Sequence, residues 1–170
     1  MDPFASPHNL DRELQSLLAQ ASSNLCDWFA ESGSQGPMPD SFDLPEAFPK
    51  KKGLSNKVLL NDLQLLMNGS YRPSHPRALA HLDPPPLSAS IVGELICAGL
   101  NNNLLAEELS PSLSSLERNL CKWFCKKLGL GDLSGGVAAS GGSLRNLMAL
   151  VMARNNSGLE TDPKAVFFAS

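Results

Sequence analysis

Gly136-Val137-Ala138-Ala139-Ser140-Gly141-Gly142-Ser143-Leu144-Arg145-Asn146-Leu147 is the stretch that decides the fold. Gly136 to Ala139 has the short apolar run of a buried strand, and Ser140 to Ser143 has the composition of a tight turn. Leu144 to Asn155 repeats apolar residues at helical spacing, with Leu147, Leu150 and Val151 inward. Asn156-Ser157-Gly158 breaks that helix, and Ala165-Val166-Phe167-Phe168-Ala169 reads as the next strand. Strand, glycine turn, helix and strand make one βαβ unit with an expected right-handed crossover. The predicted fold class is therefore α/β with a mostly parallel sheet. A lone βαβ unit has too little sheet to bury its strands on both faces, so the chain reads as cut short.

Upstream of this unit the pattern is helical. Leu10, Leu14, Leu17, Leu18, Ala21, Leu25, Trp28 and Phe29 form one apolar stripe of an opening helix. Residues 32–53 dissolve into glycines and prolines and include the run Lys50-Lys51-Lys52, read as a solvated connector. A shorter helix is expected from about Asn56 to Met67, stopped by Asn68-Gly69. Pro84-Pro85-Pro86 fits neither a helix interior nor a central strand and makes a stiff wall, suited to a linker or a pocket lip. A third helix is expected over Ser88 to Leu100, followed by Asn101-Asn102-Asn103, a run suited to ending it. Ser110 and Pro111 supply start chemistry for a fourth, whose stripe of Leu113, Leu116, Leu120, Phe124 and Leu128 is predicted buried and which Gly129 and Gly131 end. The division expected is a helical arm with its connector over residues 1–69 and a second domain beginning at residue 70.

Composition narrows the function. The 170 residues are 42% apolar and 18% charged with net charge −3, and the pI is about 5.6. That balance argues for a folded chain and against a nucleic-acid or anionic-membrane partner. No apolar run approaches the ~20 residues that a bilayer requires. Met1-Asp2-Pro3-Phe4 lacks the basic start of a secretion signal, which points to the cytoplasm. Cys121 and Cys125 lie four apart with no second close pair to complete a zinc site, so no metal is expected and Cys26, Cys97, Cys121 and Cys125 read as reduced thiols.

The Ser140-Gly141-Gly142-Ser143 turn stands where a strand ends and a helix begins. Gly141 and Gly142 let backbone N–H groups approach a ligand, and a helix start adds unpaired donors and a positive dipole end suited to phosphate. A P-loop requires a Lys after its second glycine, where Ser143 stands. A dinucleotide fingerprint requires G-x-G-x-x-G, which this turn lacks. The turn is equally compatible with an ordinary capped connection, and with a phosphorylated cofactor that brings its own chemistry.

Ala139-Ser140-Gly141-Gly142-Ser143-Leu144-Arg145-Asn146-Leu147, with Ala153-Arg154 after it, resembles the threonine-serine-glycine-glycine motif of the pyridoxal-phosphate-dependent group II amino-acid decarboxylases, which include glutamate, 2,4-diaminobutyrate and aromatic amino-acid decarboxylases. Further pieces follow the family's order. His75-Pro76-Arg77 with Leu79-Ala80-His81-Leu82 is similar to its segment entering the active site. Leu100-Asn101-Asn102-Asn103 resembles its leucine-asparagine motif, and Ser110-Pro111, Leu116-Glu117 and Trp123 resemble its Ser-Pro, Glu and Trp helix. The match covers residues 70–170, while residues 1–69 resemble the family's helical arm in general character only.

The resemblance implies the start of a fold-type I large domain, with pyridoxal 5'-phosphate as cofactor and an L-amino acid as substrate, glutamate or 2,4-diaminobutyrate rather than an aromatic one. Gly141, Gly142 and Ser143 would hold the cofactor phosphate. His81 and Asp83 would line the substrate pocket, and Asn103 would lie on a segment presented across a homodimer interface. His81 is otherwise a satisfied loop histidine, and Asp83 a turn residue before the prolines. The family's Thr is replaced by Ala139, and Leu144-Arg145 departs from its usual small or acidic pair. The lysine that holds the cofactor covalently, its preceding His and the Asp that pairs the ring nitrogen have no counterpart here. The expectation is thus roughly the first third of such an enzyme, inactive alone. The alternatives are a non-catalytic fragment that pairs with a full-length subunit, and a lyase of the same fold type acting on phosphorylated long-chain substrates.

Overall fold

The computed structural model describes residues 4–46, 48, 51–79, 84–159, 161–164 and 166. Among them five α-helices occur, α1 Arg12–Ala30, α2 Asn56–Asn68, α3 Ser88–Leu100, α4 Pro111–Lys127 and α5 Gly142–Asn156, with single 3₁₀ turns at Glu31–Gly33 and Glu107–Leu109. The contacts divide the chain into two compact units, Met1–Val92 and Gly93–Ser170. No helix among the described residues is long and apolar enough to cross a membrane.

In the first unit α1 packs against α2. The Asp11 side chain caps α1 by accepting from the Leu14 N–H at 2.9 Å, and Ser55 caps α2 by accepting from the Val58 N–H at 3.4 Å. Across the pair, the Asn56 Nδ2 donates to Glu13 Oε1 at 3.0 Å. Gly69 ends α2 at φ −83°, an ordinary backbone angle. A Cβ there would stand 3.0 Å from the Phe42 Cβ, so a larger residue would require the Phe42 side chain to give by a few tenths of an ångström.

The centre of this unit is the carbonyl of Trp28, near the end of α1. Arg72 Nη1 donates to it at 2.7 Å and Ser32 Oγ at 3.2 Å. The Arg72 guanidinium lies 4.7 Å from the Trp28 ring centroid, and its backbone N–H donates to the Pro37 carbonyl at 2.9 Å. Trp28, Ser32, Arg72 and His75 are all buried. The cation thus meets the negative end of a helix and an aromatic face together. His75 Nδ1 accepts from the Arg77 N–H at 3.0 Å, so the His-Pro-Arg segment closes on itself as a turn.

In the second unit α4 is preceded by the 3₁₀ turn Glu107–Leu109, and Arg118 grips Glu107 through both carboxylate oxygens, at 3.1 and 2.6 Å. Helices α4 and α5 end in the same way. Gly129 takes φ 71° and Gly158 φ 67°. The Leu130 N–H returns to the Cys125 carbonyl at 3.0 Å and the Leu159 N–H to that of Arg154 at 3.2 Å. These are Schellman closures, which need the left-handed backbone that glycine adopts freely. Asn101, at φ 46°, also takes the left-handed conformation at the end of α3, its N–H on the Cys97 carbonyl at 3.0 Å.

Three sequence expectations differ from the structure. Ser110 does not cap α4 through its side chain: its backbone stands at φ −156°, ψ 63°, and its Oγ is buried without a partner. Pro111 meets part of that need, having no N–H to satisfy. The predicted strand Gly136–Ala139 joins no ladder among the described residues, and of the second strand, 165–169, all but Val166 lies outside them. The stripes of α4 and α5 are open, with Leu116 63% and Leu147 58% exposed. Periodicity identifies a face that favours burial, and no helix among the described residues packs on either one.

Two measurements check this account. Arg72→Ala is expected to destabilise the first unit by about 2 kcal/mol, since a charged hydrogen bond and a cation–π contact are lost together, and urea unfolding followed by Trp28 fluorescence in a Trp123→Phe background reads it. The hydrogen bond from Arg118, followed by its charge, holds the Glu107 carboxyl below its ordinary 4.5. A lowered value gives stability that is full above the ordinary range and lost as pH falls through the lowered one. In Arg118→Ala the Glu107 titration should move up toward 4.5, as read by carboxyl carbon NMR.

Candidate functional site

The Ser140–Ser143 turn is delivered by two features of the second unit. Glu117 Oε1 accepts from the Ala138 N–H at 2.6 Å. Further along the same helix, Cys125 Sγ donates to the Gly135 carbonyl at 3.6 Å. Between them Cys121 faces Gly136, where an added Cβ would meet the Cys121 Cβ at 3.5 Å. Glu117, Cys121 and Cys125 are spaced four apart, so they share one face of α4 and hold residues 135–138 along it.

The chain then reverses at Ser140-Gly141 into α5. Gly141 is the N-cap residue at φ 173°, ψ 169°, which is extended backbone, and no side chain caps the helix. The first intrahelical bond is Arg145 N–H to the Gly141 carbonyl at 3.1 Å. The N–H groups of Gly142, Ser143 and Leu144 consequently start the helix without a side-chain acceptor. Nothing lies within 4 Å of a Cβ built at Gly141 or Gly142, so there is open space beside both glycines. Beside them lies a hollow of about 650 Å³ lined by Gly135, Gly136, Val137, Ala139, Arg145 and Met148 among others. Its mainly apolar floor and single cation suit a flat ring attached to an anionic tail.

Gly141, Gly142 and Ser143 therefore stand together at one helix start. Asn103 is exposed, with its Oδ1 accepting from the Leu105 N–H at 3.0 Å in a local turn. His81 and Asp83 lie outside the described residues. The sequence assigned no task to the face of Glu117, Cys121 and Cys125, although its four-residue spacing was visible. The Arg145 cation noted beside the turn lines the hollow. No group of three His, Cys, Asp or Glu side chains converges among the described residues.

The pyridoxal-dependent decarboxylase conserved domain matches residues 37–164. The chain belongs to the pyridoxal-dependent decarboxylase family. It is 33% identical over 108 residues to the L-2,4-diaminobutyrate decarboxylase of Acinetobacter baumannii, covering 63% of this chain and 21% of that protein. It is 30% identical over 112 residues to the aromatic-L-amino-acid decarboxylase of Bacillus atrophaeus, covering 65% and 23%. The chain thus spans between a fifth and a quarter of the length of these curated relatives. Among solved structures, mouse CSAD superposes with a TM-score of 0.76 at 19% identity, over 93% of this chain and 34% of that one. Oryza sativa TDC with PLP and tryptamine superposes at 0.70 and 20% identity, over 93% and 37%. These two likenesses show the fold.

Proposed function

We propose that this chain supplies the cofactor-phosphate end of a pyridoxal-phosphate-dependent L-amino-acid decarboxylase. The observation that carries the proposal is the open start of α5, where Gly142, Ser143 and Leu144 present backbone donors with no side-chain cap and no obstruction at either glycine. The group fits these residues. A phosphate dianion would take backbone N–H bonds there, a hydroxyl bond from Ser143, and the favourable field of the helix dipole. Arg145, four residues past the N-cap, would add a compensating cation. When bound, the cofactor supplies the electron sink for loss of CO₂. The chain's own contribution is to bind and orient it.

The same proposal gives residues 1–69 the part of a helical arm and residues 70–170 the start of a large domain with a mostly parallel sheet. His81, Asp83 and Asn103 would line the substrate side, Asn103 near a homodimer interface in a cytoplasmic enzyme. The likeness to a 2,4-diaminobutyrate decarboxylase, and to a glutamate decarboxylase-like protein of Gibberella zeae, supports an acidic or amino-bearing L-amino acid as substrate. The chain's lysines are Lys50, Lys51, Lys52, Lys57, Lys122, Lys126, Lys127 and Lys164, and none adjoins a histidine. The 170-residue chain alone would hold the phosphate end without decarboxylating.

Pyridoxine 5'-phosphate, which has no aldehyde to react with surface lysines, tests this directly. Its addition to the ¹⁵N-labelled chain should shift the amide signals of Gly142, Ser143 and Leu144, and pyridoxine without phosphate should leave them in place. Ser143→Ala should weaken the apparent affinity about tenfold, the size expected for one hydrogen bond to a charged group. Shifts that ignore the phosphate, or that fall elsewhere, would overturn the assignment.

A further inference from the structure

We propose that Glu117 is the positioning residue of the phosphate turn, setting from α4 where the donors at the start of α5 point. The proposal rests on the cofactor assignment above and adds to it a residue that does not touch the cofactor. Glu117 reaches across 21 residues of sequence to the Ala138 N–H at 2.6 Å, two residues before the turn begins. It is the polar end of a track whose other contacts are weak. Cys121 offers van der Waals contact at Gly136, and Cys125 a thiol donor at 3.6 Å from the Gly135 carbonyl.

The two backbones match in length. Eight residues of helix from Glu117 to Cys125 rise ~12 Å, and the three extended steps from Gly135 to Ala138 span ~10 Å. The segment therefore lies along α4, running opposite to it, with both ends fixed. Gly135 and Gly136 bring their freedom to the segment, and Gly141 and Gly142 bring theirs to the turn. A segment with so little stiffness of its own holds one position only through contacts from outside. A carboxylate acceptor for a backbone N–H is the strongest of those present, because bonds to ionised groups are about twice as strong as neutral ones.

Comparing Glu117→Gln with Glu117→Ala separates positioning from bulk structure, since glutamine keeps the acceptor oxygen and nearly the same shape. In the unliganded full chain, hydrogen exchange at the Ala138 amide should speed up about tenfold in Glu117→Ala and less than about threefold in Glu117→Gln, following the loss or retention of the acceptor. Pyridoxine 5'-phosphate should bind Glu117→Ala about five- to tenfold more weakly, with near-complete recovery in Glu117→Gln and unchanged helical circular dichroism. Wild-type binding that is matched by Glu117→Ala would overturn the positioning role and leave the cofactor assignment standing. Equal weakening in both variants with loss of helical signal would show a merely structural residue. A wild-type chain that does not bind the phosphate ester would overturn the cofactor assignment, and the positioning role with it.

Discussion

Every α-helix leaves N–H groups unpaired at its start and carbonyls unpaired at its end, and the ways in which these are met organise this chain. At their starts α1 and α2 are closed by Asp11 and Ser55. The carbonyl of Trp28, close to the end of α1, gathers Arg72 and Ser32, and that convergence forms the buried centre of the first unit. At their ends α4 and α5 are closed by glycines in the left-handed conformation. Pro111 begins α4 with no N–H to satisfy. The start of α5 differs, having neither a capping side chain nor a proline, and its N-cap residue is a glycine. Where α1 and α2 use a side chain and α4 a proline, this start uses neither, and donors without a side-chain cap at a positive dipole end favour an anion.

The apolar surface carries the same division between what is closed and what is open. Trp28 and Cys125 are the buried hydrophobic residues among those described. Large side chains on α3, α4 and α5 remain exposed, among them Ile96, Leu120, Trp123 and Leu150. A helix face of that composition is ordinarily covered within the domain that contains it. Under the proposed function the remaining enzyme would cover it, which agrees with a chain spanning 21% of its diaminobutyrate decarboxylase relative.

Helix positions were legible in the sequence because they depend on neighbours in sequence. The predicted limits of α3 coincide with the observed ones, and α5 starts two residues earlier than its apolar pattern indicated, because Gly142 and Ser143 can be helical without contributing to a stripe. Asn101, Gly129 and Gly158 were recognisable stops, since local backbone preference alone decides them. The failures involve partners distant in sequence. Ser110 has the right side chain for a cap but the wrong backbone angles. The strand expected at Gly136–Ala139 requires a neighbouring strand, the one expected at 165–169 lies outside the described residues except for Val166, and the Ala138 N–H is taken by Glu117. Of the candidate site, the glycine turn was readable as a motif, while its anchor on α4 was not. A carboxylate on a helix surface gives no local sign of which backbone amide it meets.

That anchor bears on the departures from the family motif. Ala139 supplies no hydroxyl where the motif it resembles has threonine, so under the proposed function the turn would have one fewer donor for the phosphate, while Arg145 adds a positive charge beside it. The two changes are not equivalent. A hydroxyl acts at hydrogen-bond range and specifies geometry, whereas an exposed guanidinium acts over a Debye length of ~8 Å and specifies only the sign of the charge. Under the proposed function, exchanging the first for the second would preserve attraction for a phosphate and relax the demand on where it sits. The placement not supplied at Ala139 would then come from the backbone, which is held one residue earlier, where the Ala138 N–H meets Glu117. Under the proposed function, close placement of the phosphate would therefore depend more on the α4 contact in this chain than in one that keeps the threonine.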